Sequence, residues 1–498
     1  MLFNMRKISY LVVLSLVLSG FIFMSCSDDD EGGSNNANLD NPINKFVWSG
    51  MNSWYNWQQN VPNLSDDKDN NAEEFHNYLN GYSNPEDLFK SLIFDQGNTD
   101  RFSWFIEDYV EQQKQFQGIS ESTGIRRSVP IDIGGNQIII YVQYVSPNSP
   151  AYAAGIRRGD IINAIDDEEM NDTNYVSVIN KLYSGNSIDV RVSSENGGVL
   201  TEEGTYTVIP SEFSDDPVYV TKTFDNINGR KVGYLAYNGF RSSYNDELNT
   251  AFETFKTEGI NELVLDLRIN GGGSVQTSAY LASMIYENAG TQVFAELNFN
   301  DKHDNQNGAY NFDNTLDVFS AAGTKTGTQT INRLSTINRL YVLTSSSTAS
   351  ASEMIINGLK PFIEVITVGT TTYGKNVGSI TLYDSPSSDY TNQASANSSH
   401  LNAMQPIVFQ IFNKNGESDY LQGFDPNLEI KEWQYWANIL PMGDENEIVL
   451  KTALDHIRGI SSKSTLKSVP SSKLKNEENI KELNKFDKEM YLKSDFFN

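Results

Sequence analysis

The stretch Arg339-Leu340-Tyr341-Val342-Leu343, followed by Ser345-Ser346-Ser347-Thr348-Ala349-Ser350-Ala351-Ser352-Glu353 and then an apolar run to Leu359, decides the fold of this chain. It reads as a buried strand, a serine-rich turn and an apolar helix. The same order occurs upstream. Leu263-Val264-Leu265-Asp266-Leu267-Arg268 is a strand that runs into Asn270-Gly271-Gly272-Gly273 and a helix through Tyr286. Val232–Tyr237 is another strand, and Ser243 to Thr257 reads as a helix. Strands alternating with helices predict an α/β layer architecture over residues 213–462.

A serine in such a strand-to-helix turn has two readings. It caps the helix, as Ser and Thr clusters commonly do. Or it is a nucleophile, with the helix-start N–H groups ready to hold an oxyanion. A nucleophilic serine needs a proton acceptor. Gly369-Thr370-Thr371-Thr372-Tyr373-Gly374-Lys375-Asn376 offers one in Lys375. This string nearly spells a phosphate-binding loop, but Asn376 replaces the hydroxyl that would hold magnesium. The following Ser379-Ile380-Thr381-Leu382-Tyr383 also reads as a strand, where such a loop must open a helix. For Lys375 to act as a base near pH 7 its amine must lose about three pKa units, about 4 kcal/mol. Desolvation in an apolar pocket can supply that.

Upstream, residues 43–118 are expected to be helical. Ile43, Phe46, Val47, Met51, Trp54 and Tyr55 recur at three- and four-residue spacing, as do Phe102, Phe105, Ile106, Tyr109 and Val110. Asp66-Asp67-Lys68-Asp69-Asn70 lacks the glycine and closing glutamate of a calcium loop and reads as a solvated turn. Trp48, Trp54, Tyr55 and Trp57 raise the alternative of a sugar-binding surface, although their spacing fits a helix core better. Residues 119–212 change character. Gln137–Val142 is a strand, Ser149-Pro150-Ala151 opens a short helix, and Ile161–Ile165 is a second strand. The string from Ser149 to Asp166, SPAYAAGIRRGDIINAID, resembles the core of a PDZ domain. Such domains bind a peptide as an added strand and hold its terminal carboxylate.

The motifs together resemble peptidase family S41, the carboxy-terminal processing or tail-specific proteases. Thr348-Ala349-Ser350-Ala351-Ser352-Glu353 matches the family's nucleophile motif, and Tyr373-Gly374-Lys375 matches its base motif. Asp266-Leu267-Arg268-Ile269-Asn270-Gly271-Gly272-Gly273 matches its oxyanion-side motif. The resemblance implies a ClpP/crotonase-like S41 core with a small PDZ-like domain and an N-terminal helical cap. It implies Ser350 as nucleophile and Lys375 as base, with backbone N–H groups of Ala351 and of Gly272 or Gly273 as the oxyanion hole. Many members place glutamine four residues after the lysine to orient it. Here Ser379 stands there, so either Ser379 or another residue makes that contact. The implied function is a serine endopeptidase that acts on protein or peptide substrates with free C-termini and uses no cofactor. The alternative is a catalytically weak or inactive S41 fold used as a peptide-binding surface lipoprotein. A Ser-His-Asp hydrolase is disfavoured because no G-x-S-x-G elbow occurs.

Composition bounds the rest. With 498 residues, two to four domains are expected. A hydrophobic content of 39% suits a globular protein, and a net charge of -27 argues against a nucleic-acid partner. The single cysteine excludes internal disulfides and a Cys-based zinc site. His76, His303, His400 and His456 show no metal-binding spacing. Arg6-Lys7 and the apolar run Ile8–Met24 form a secretory signal over residues 1–25, with an uncleaved membrane anchor as the alternative. Met24-Ser25-Cys26 resembles a bacterial lipobox, which implies lipidation at Cys26. Residues 26–42 are a tether. Its acidic start, Ser27-Asp28-Asp29-Asp30-Glu31, resembles the surface-export signal of Bacteroidetes lipoproteins, or is simply solvated. The expected location is the bacterial cell envelope, as an outer-membrane lipoprotein on the periplasmic or outer face. Residues 463–498 are Ser- and Lys-rich and read as a polar mobile tail.

Overall fold

The computed structural model describes residues 38–197, 199–460, 472–473 and 488–493. The signal segment and Cys26 lie outside them. Among the described residues, no helix is long and apolar enough to cross a membrane.

Four helices form most of the N-terminal region, and each starts at an Asn or Asp whose side chain accepts the first free N–H groups. They are Pro42–Trp54, Ala72–Asn80, Pro85–Ser91 and Tyr109–Phe116, capped by Asn41, Asn71, Asn84 and Asp108. Phe46, Val47, Trp48, Met51, Trp54 and Tyr55 are buried in the main core, so these aromatics pack inward rather than forming a sugar platform. The expected helical run over Phe102–Val110 is split. Asp100 Oδ1 accepts the N–H groups of Phe102 and Ser103, both at 2.9 Å, and turns the chain. Trp104–Ile106 then pairs antiparallel with Ala403–Gln405, and only Tyr109 onward is helical. Pairing with a distant strand outweighs a local spacing too short to fix the element type.

Next comes a β-rich unit whose strands Ile131–Asp132, Ile138–Val145, Ile161–Ile165, Ile188–Asn196 and Val199–Val208 lie in one sheet. Helices Pro150–Ala154 and Tyr175–Asn180 pack on it around Ile140, Val142, Ile162, Val178 and Val190. Ser149 Oγ accepts the Tyr152 N–H at 3.3 Å, so the Ser-Pro start of the short helix works as a cap and first turn.

The large unit has a six-stranded sheet in the order Val218–Ile227, Arg230–Tyr237, Glu262–Asp266, Arg339–Thr344, Glu364–Gly369, Leu428–Glu429. The first pair is antiparallel and the rest are parallel. Side chains alternate across it as the strand period requires. Leu263, Leu265, Leu340 and Val342 face the helices Asn245–Glu258, Val275–Ile285 and Ala351–Leu359. Val264, Tyr341 and Leu343 face Ile448–Ile457. The turns after Asp266 and Thr344 therefore emerge side by side at the carboxyl ends of neighbouring parallel strands, where open α/β sheets place their sites.

A second six-stranded sheet runs Gly273–Ser274, Met490–Tyr491, Val377–Ser379, Ile407–Asn413, Val293–Phe299, Gly308–Asn311. Its second strand falls within residues 463–498, the stretch that reads as a polar mobile tail and that lies mostly outside the described residues. Met490, Tyr491 and Leu492 are buried and lie between the glycine turn and the strand that follows Lys375. A few apolar residues in a polar stretch are enough when two strand edges wait to be paired.

A buried ionic cluster joins the β-rich unit to the large one. Arg158 pairs with Glu432 and donates to Gln143 O at 2.6 Å and Leu440 O at 2.9 Å. Arg268 bridges Asp266, Glu432 and Glu447. Tyr141 OH completes the set on Glu432 Oε2 at 2.9 Å.

Candidate active site

Ser350 is the last residue before the helix Ala351–Leu359, and its backbone is held at φ 63°, ψ -118°. That is a conformation glycine adopts easily and serine adopts only at a cost of about 1–3 kcal/mol, so the surroundings must enforce it. They do. Thr348 Oγ1 donates to Leu267 O at 2.8 Å, Ser352 Oγ donates to Asn270 O at 2.9 Å, and Asn270 Nδ2 donates to Tyr237 O at 2.8 Å. These bonds fix the serine turn to the glycine turn beside it. Ser350 Oγ is fully buried and has no hydrogen-bond partner among the described residues. Ser350 and Glu353 keep the geometry of a capping box, yet no hydrogen bond of ordinary length ties this hydroxyl to the helix start.

Glu353, one helical turn on, is the anchor that the sequence reading missed. Its carboxylate accepts Ser350 N–H at 2.9 Å, Lys375 N–H at 2.8 Å, Gly374 N–H at 2.7 Å and Thr372 Oγ1 at 2.5 Å. Burial raises its pKa, and the four donors work against that rise. One side chain thus sets the serine turn against the lysine loop. The spacing from Ser350 to Glu353, that of a capping box, was the available signal.

Lys375 is fully buried. Its Nζ lies 4.8 Å from the centre of the Phe102 ring, and Phe102 packs edge-on against Tyr373. Burial pushes its pKa below the ordinary value, against the pull of Glu489. Nζ donates to Lys488 O at 2.8 Å and lies 3.4 Å from Glu489 Oε1. Burial pushes the Glu489 carboxyl up to about 8. Ser379 Oγ donates to Glu489 Oε2 at 3.3 Å and to Met490 O at 3.2 Å, and accepts from Gln405 Nε2 at 2.9 Å. Ser379 therefore meets Lys375 only through the Glu489 carboxylate. An amide does reach this corner, but it comes from the distant strand Ala403–Gln405.

On the oxyanion side, Gly272 N–H is already committed to Asn270 Oδ1 at 2.9 Å. That leaves Gly273, whose N–H donates to the main-chain oxygen of Glu489. Ala351 N–H is the first amide of its helix, where no preceding turn supplies a carbonyl. Gly272 and Gly273 have φ of +119° and +136°. A methyl group on Gly272 would overlap Glu489 O and stand 2.7 Å from Ser350 Cβ and 3.1 Å from Ala351 N. Only glycine lets a carbonyl oxygen, the serine and both amides converge.

Ser53, His303 and Asp389 also meet. However, Ser53 Oγ and Asp389 Oδ2 both approach His303 Nε2, at 3.0 and 3.5 Å, while the ring stacks on Trp54. A triad needs the carboxylate on the other ring nitrogen. This cluster is structural. Among the described residues, no group of His, Cys, Asp and Glu could hold a metal ion. A cavity of about 600 Å³ between the β-rich unit and the large one, lined by Arg126, Arg127, Gly271, Ser345, Tyr373 and Lys488, opens next to the serine turn.

Comparison with known proteins bears on the family and the fold. Residues 231–420 match the model of peptidase family S41, residues 42–104 match that of the peptidase S41 N-terminal domain, and residues 141–187 match a PDZ domain. A chloroplastic C-terminal processing peptidase of Tetradesmus obliquus is 26% identical over 51% of this chain and 52% of its own length. The carboxy-terminal processing protease CtpB of Bacillus subtilis (strain 168) is 24% identical over 66% of this chain and 60% of its own. The chain thus spans about half to three-fifths of the length of these relatives. A Bacteroides fragilis NCTC 9343 protein whose crystal structure was assigned to the S41 proteases superposes with a TM-score of 0.64 at 26% identity. That match covers 84% of this chain and 98% of the other.

Proposed function

This chain belongs to peptidase family S41, and on that basis we propose that it is a serine endopeptidase working through a Ser350–Lys375 dyad. The observation that carries the reading is the buried Ser350 hydroxyl, without a hydrogen-bond partner among the described residues, on a strained turn whose backbone shares the Glu353 carboxylate with that of the buried Lys375. A peptide would lie as a strand between Gly273–Ser274 and Val377–Ser379, the two edges that flank the serine.

In this mechanism the neutral Lys375 amine takes the Ser350 proton as Oγ attacks the scissile carbonyl. The oxyanion is held by Gly273 and Ala351 N–H, and each such donor is worth about 3 kcal/mol in the transition state. Lys375 then passes the proton to the leaving amine, and water hydrolyses the acyl-serine by the same route. Ser379, Gln405 and a carboxylate between them and the lysine would tune the base rather than touch the substrate. The PDZ-like unit, at the mouth of the 600 Å³ cavity, would guide the C-terminal part of a substrate toward the site. Lipidation at Cys26, in the cell envelope, would set the pool of exported proteins it meets.

The test is digestion of unfolded casein by the purified chain and by Ser350→Ala. Cleavage by the first and a loss of at least 1,000-fold in the second is the expected result. Equal cleavage by both would end the reading.

A further inference from the structure

The strand slot beside Ser350 is filled by residues 488–493 of the same chain, and every residue from Lys488 to Leu492 has a seat. Lys488 Nζ stands 4.1 Å over the Tyr373 ring. The Glu489 side chain lies between Lys375 and Ser379. Met490 is fully buried and pairs with Gly273, while Tyr491 pairs with Ser274 and Ser379. The Tyr491 ring stacks on Phe116 with centroids 4.0 Å apart, and Leu492 N–H donates to Ser379 O at 3.1 Å.

The register decides what this occupancy means. The Glu489 carbonyl oxygen accepts the Gly273 N–H, and it stands where a Gly272 methyl group would also meet Ser350 Cβ and Ala351 N. A carbonyl held there is the carbonyl that Ser350 faces. We infer that the chain is its own substrate and cuts itself between Glu489 and Met490. The inference rests on the peptidase reading above.

The step balances without an added reagent other than water. Ser350 Oγ bonds to the Glu489 carbonyl carbon, and its proton goes to Lys375 Nζ. The bond from that carbon to Met490 N breaks, and Lys375 returns the proton to the nitrogen. The segment that begins with Met490 leaves with a free amine. Water then cleaves the Glu489 ester and restores the Ser350 hydroxyl. Burial holds the Glu489 carboxyl up at about 8, so near neutrality it is uncharged and does not pin Lys375 as an ammonium. Departure of the cut segment opens the slot to other peptides.

Intact mass measurement of the purified full chain, with casein digestion in parallel, tests this. Wild type should end at Glu489, with a first-order rate of loss that is unchanged on tenfold dilution. Ser350→Ala should keep Met490 and the residues after it. It deletes an oxygen that makes no hydrogen bond among the described residues, so its fold should survive. A wild type that digests casein but keeps Met490 overturns self-processing alone. Loss of the segment in Ser350→Ala at the wild-type rate also overturns it. If neither casein nor the chain's own segment is cut, the peptidase reading falls with it.

Discussion

The backbone N–H groups of Ser350 and Lys375 end on one atom, Oε2 of Glu353, at 2.9 and 2.8 Å. The two residues are 25 positions apart in sequence and their side chains share no hydrogen bond, yet a single buried carboxylate sets their backbones in register. Among the described residues, Ser350 Oγ has no hydrogen-bond partner. The proposed dyad would thus be positioned through the main chain, by the carboxylate that both backbones share.

Glu353→Gln puts this to the test. An amide of the same shape replaces one acceptor oxygen with a donor facing other donors. Buried polar groups left unmatched cost about 1–3 kcal/mol each. A lower urea midpoint is expected, together with a loss of casein cleavage larger than the fraction unfolded explains. Unchanged turnover would show that the shared acceptor is dispensable.

Gly272→Ala should abolish activity with little effect on secondary structure. The added methyl group would occupy the carbonyl-oxygen position and force an unfavourable φ of +119°. Loss of an oxyanion contact lowers kcat by about 100- to 1,000-fold. KM-against-kcat analysis separates this from weaker peptide binding, which would raise KM alone.

Much of the site was legible in local strings. Strand, serine turn and helix are contiguous, the glycine turn is four residues long, and Lys375 follows its own strand. Contacts between segments far apart in the chain were not. Gln405 reaches Ser379 from a strand 26 residues on, and Glu489 reaches Lys375 from 114 residues away. Phe102 walls the lysine from a segment whose spacing looked helical but which pairs as a strand. Nothing in a polar stretch of Ser and Lys marks Met490-Tyr491 as a strand until the two edges that receive it are known.

Arg158→Ala should destabilise the chain by about 3–5 kcal/mol, because it strips a partner from carboxylates that stay buried. Burial alone would raise the pKa of Glu432, but Arg158 and Arg268 together hold it down at about 2. A depressed folded pKa contributes stability that is complete above the ordinary carboxylate value and lost as pH falls toward 2. Acid unfolding of the wild type should therefore steepen below about pH 4.5, and Arg158→Ala should lose part of that dependence. Identical acid-unfolding curves for the two proteins would contradict this.

Cys26→Ser should move the protein from the membrane fraction to the soluble one. Acyl chains contribute about 0.8 kcal/mol per buried methylene, and without them the tether has nothing to hold the bilayer. Retention of the variant in washed membranes would mean that the apolar segment Ile8–Met24 is itself the anchor.

Covalent labelling gives the most direct measure of whether a neutral, buried Lys375 amine activates Ser350. A serine-directed fluorophosphonate is reacted with the purified chain across pH, and the adduct is located by peptide mass. Burial lowers the Lys375 pKa, so labelling at Ser350 should rise with pH and reach its midpoint below 10.4, the ordinary lysine value. Lys375→Arg, whose guanidinium keeps its proton, should remove the labelling. A midpoint at 10.4, or equal labelling in Lys375→Arg, would contradict the dyad.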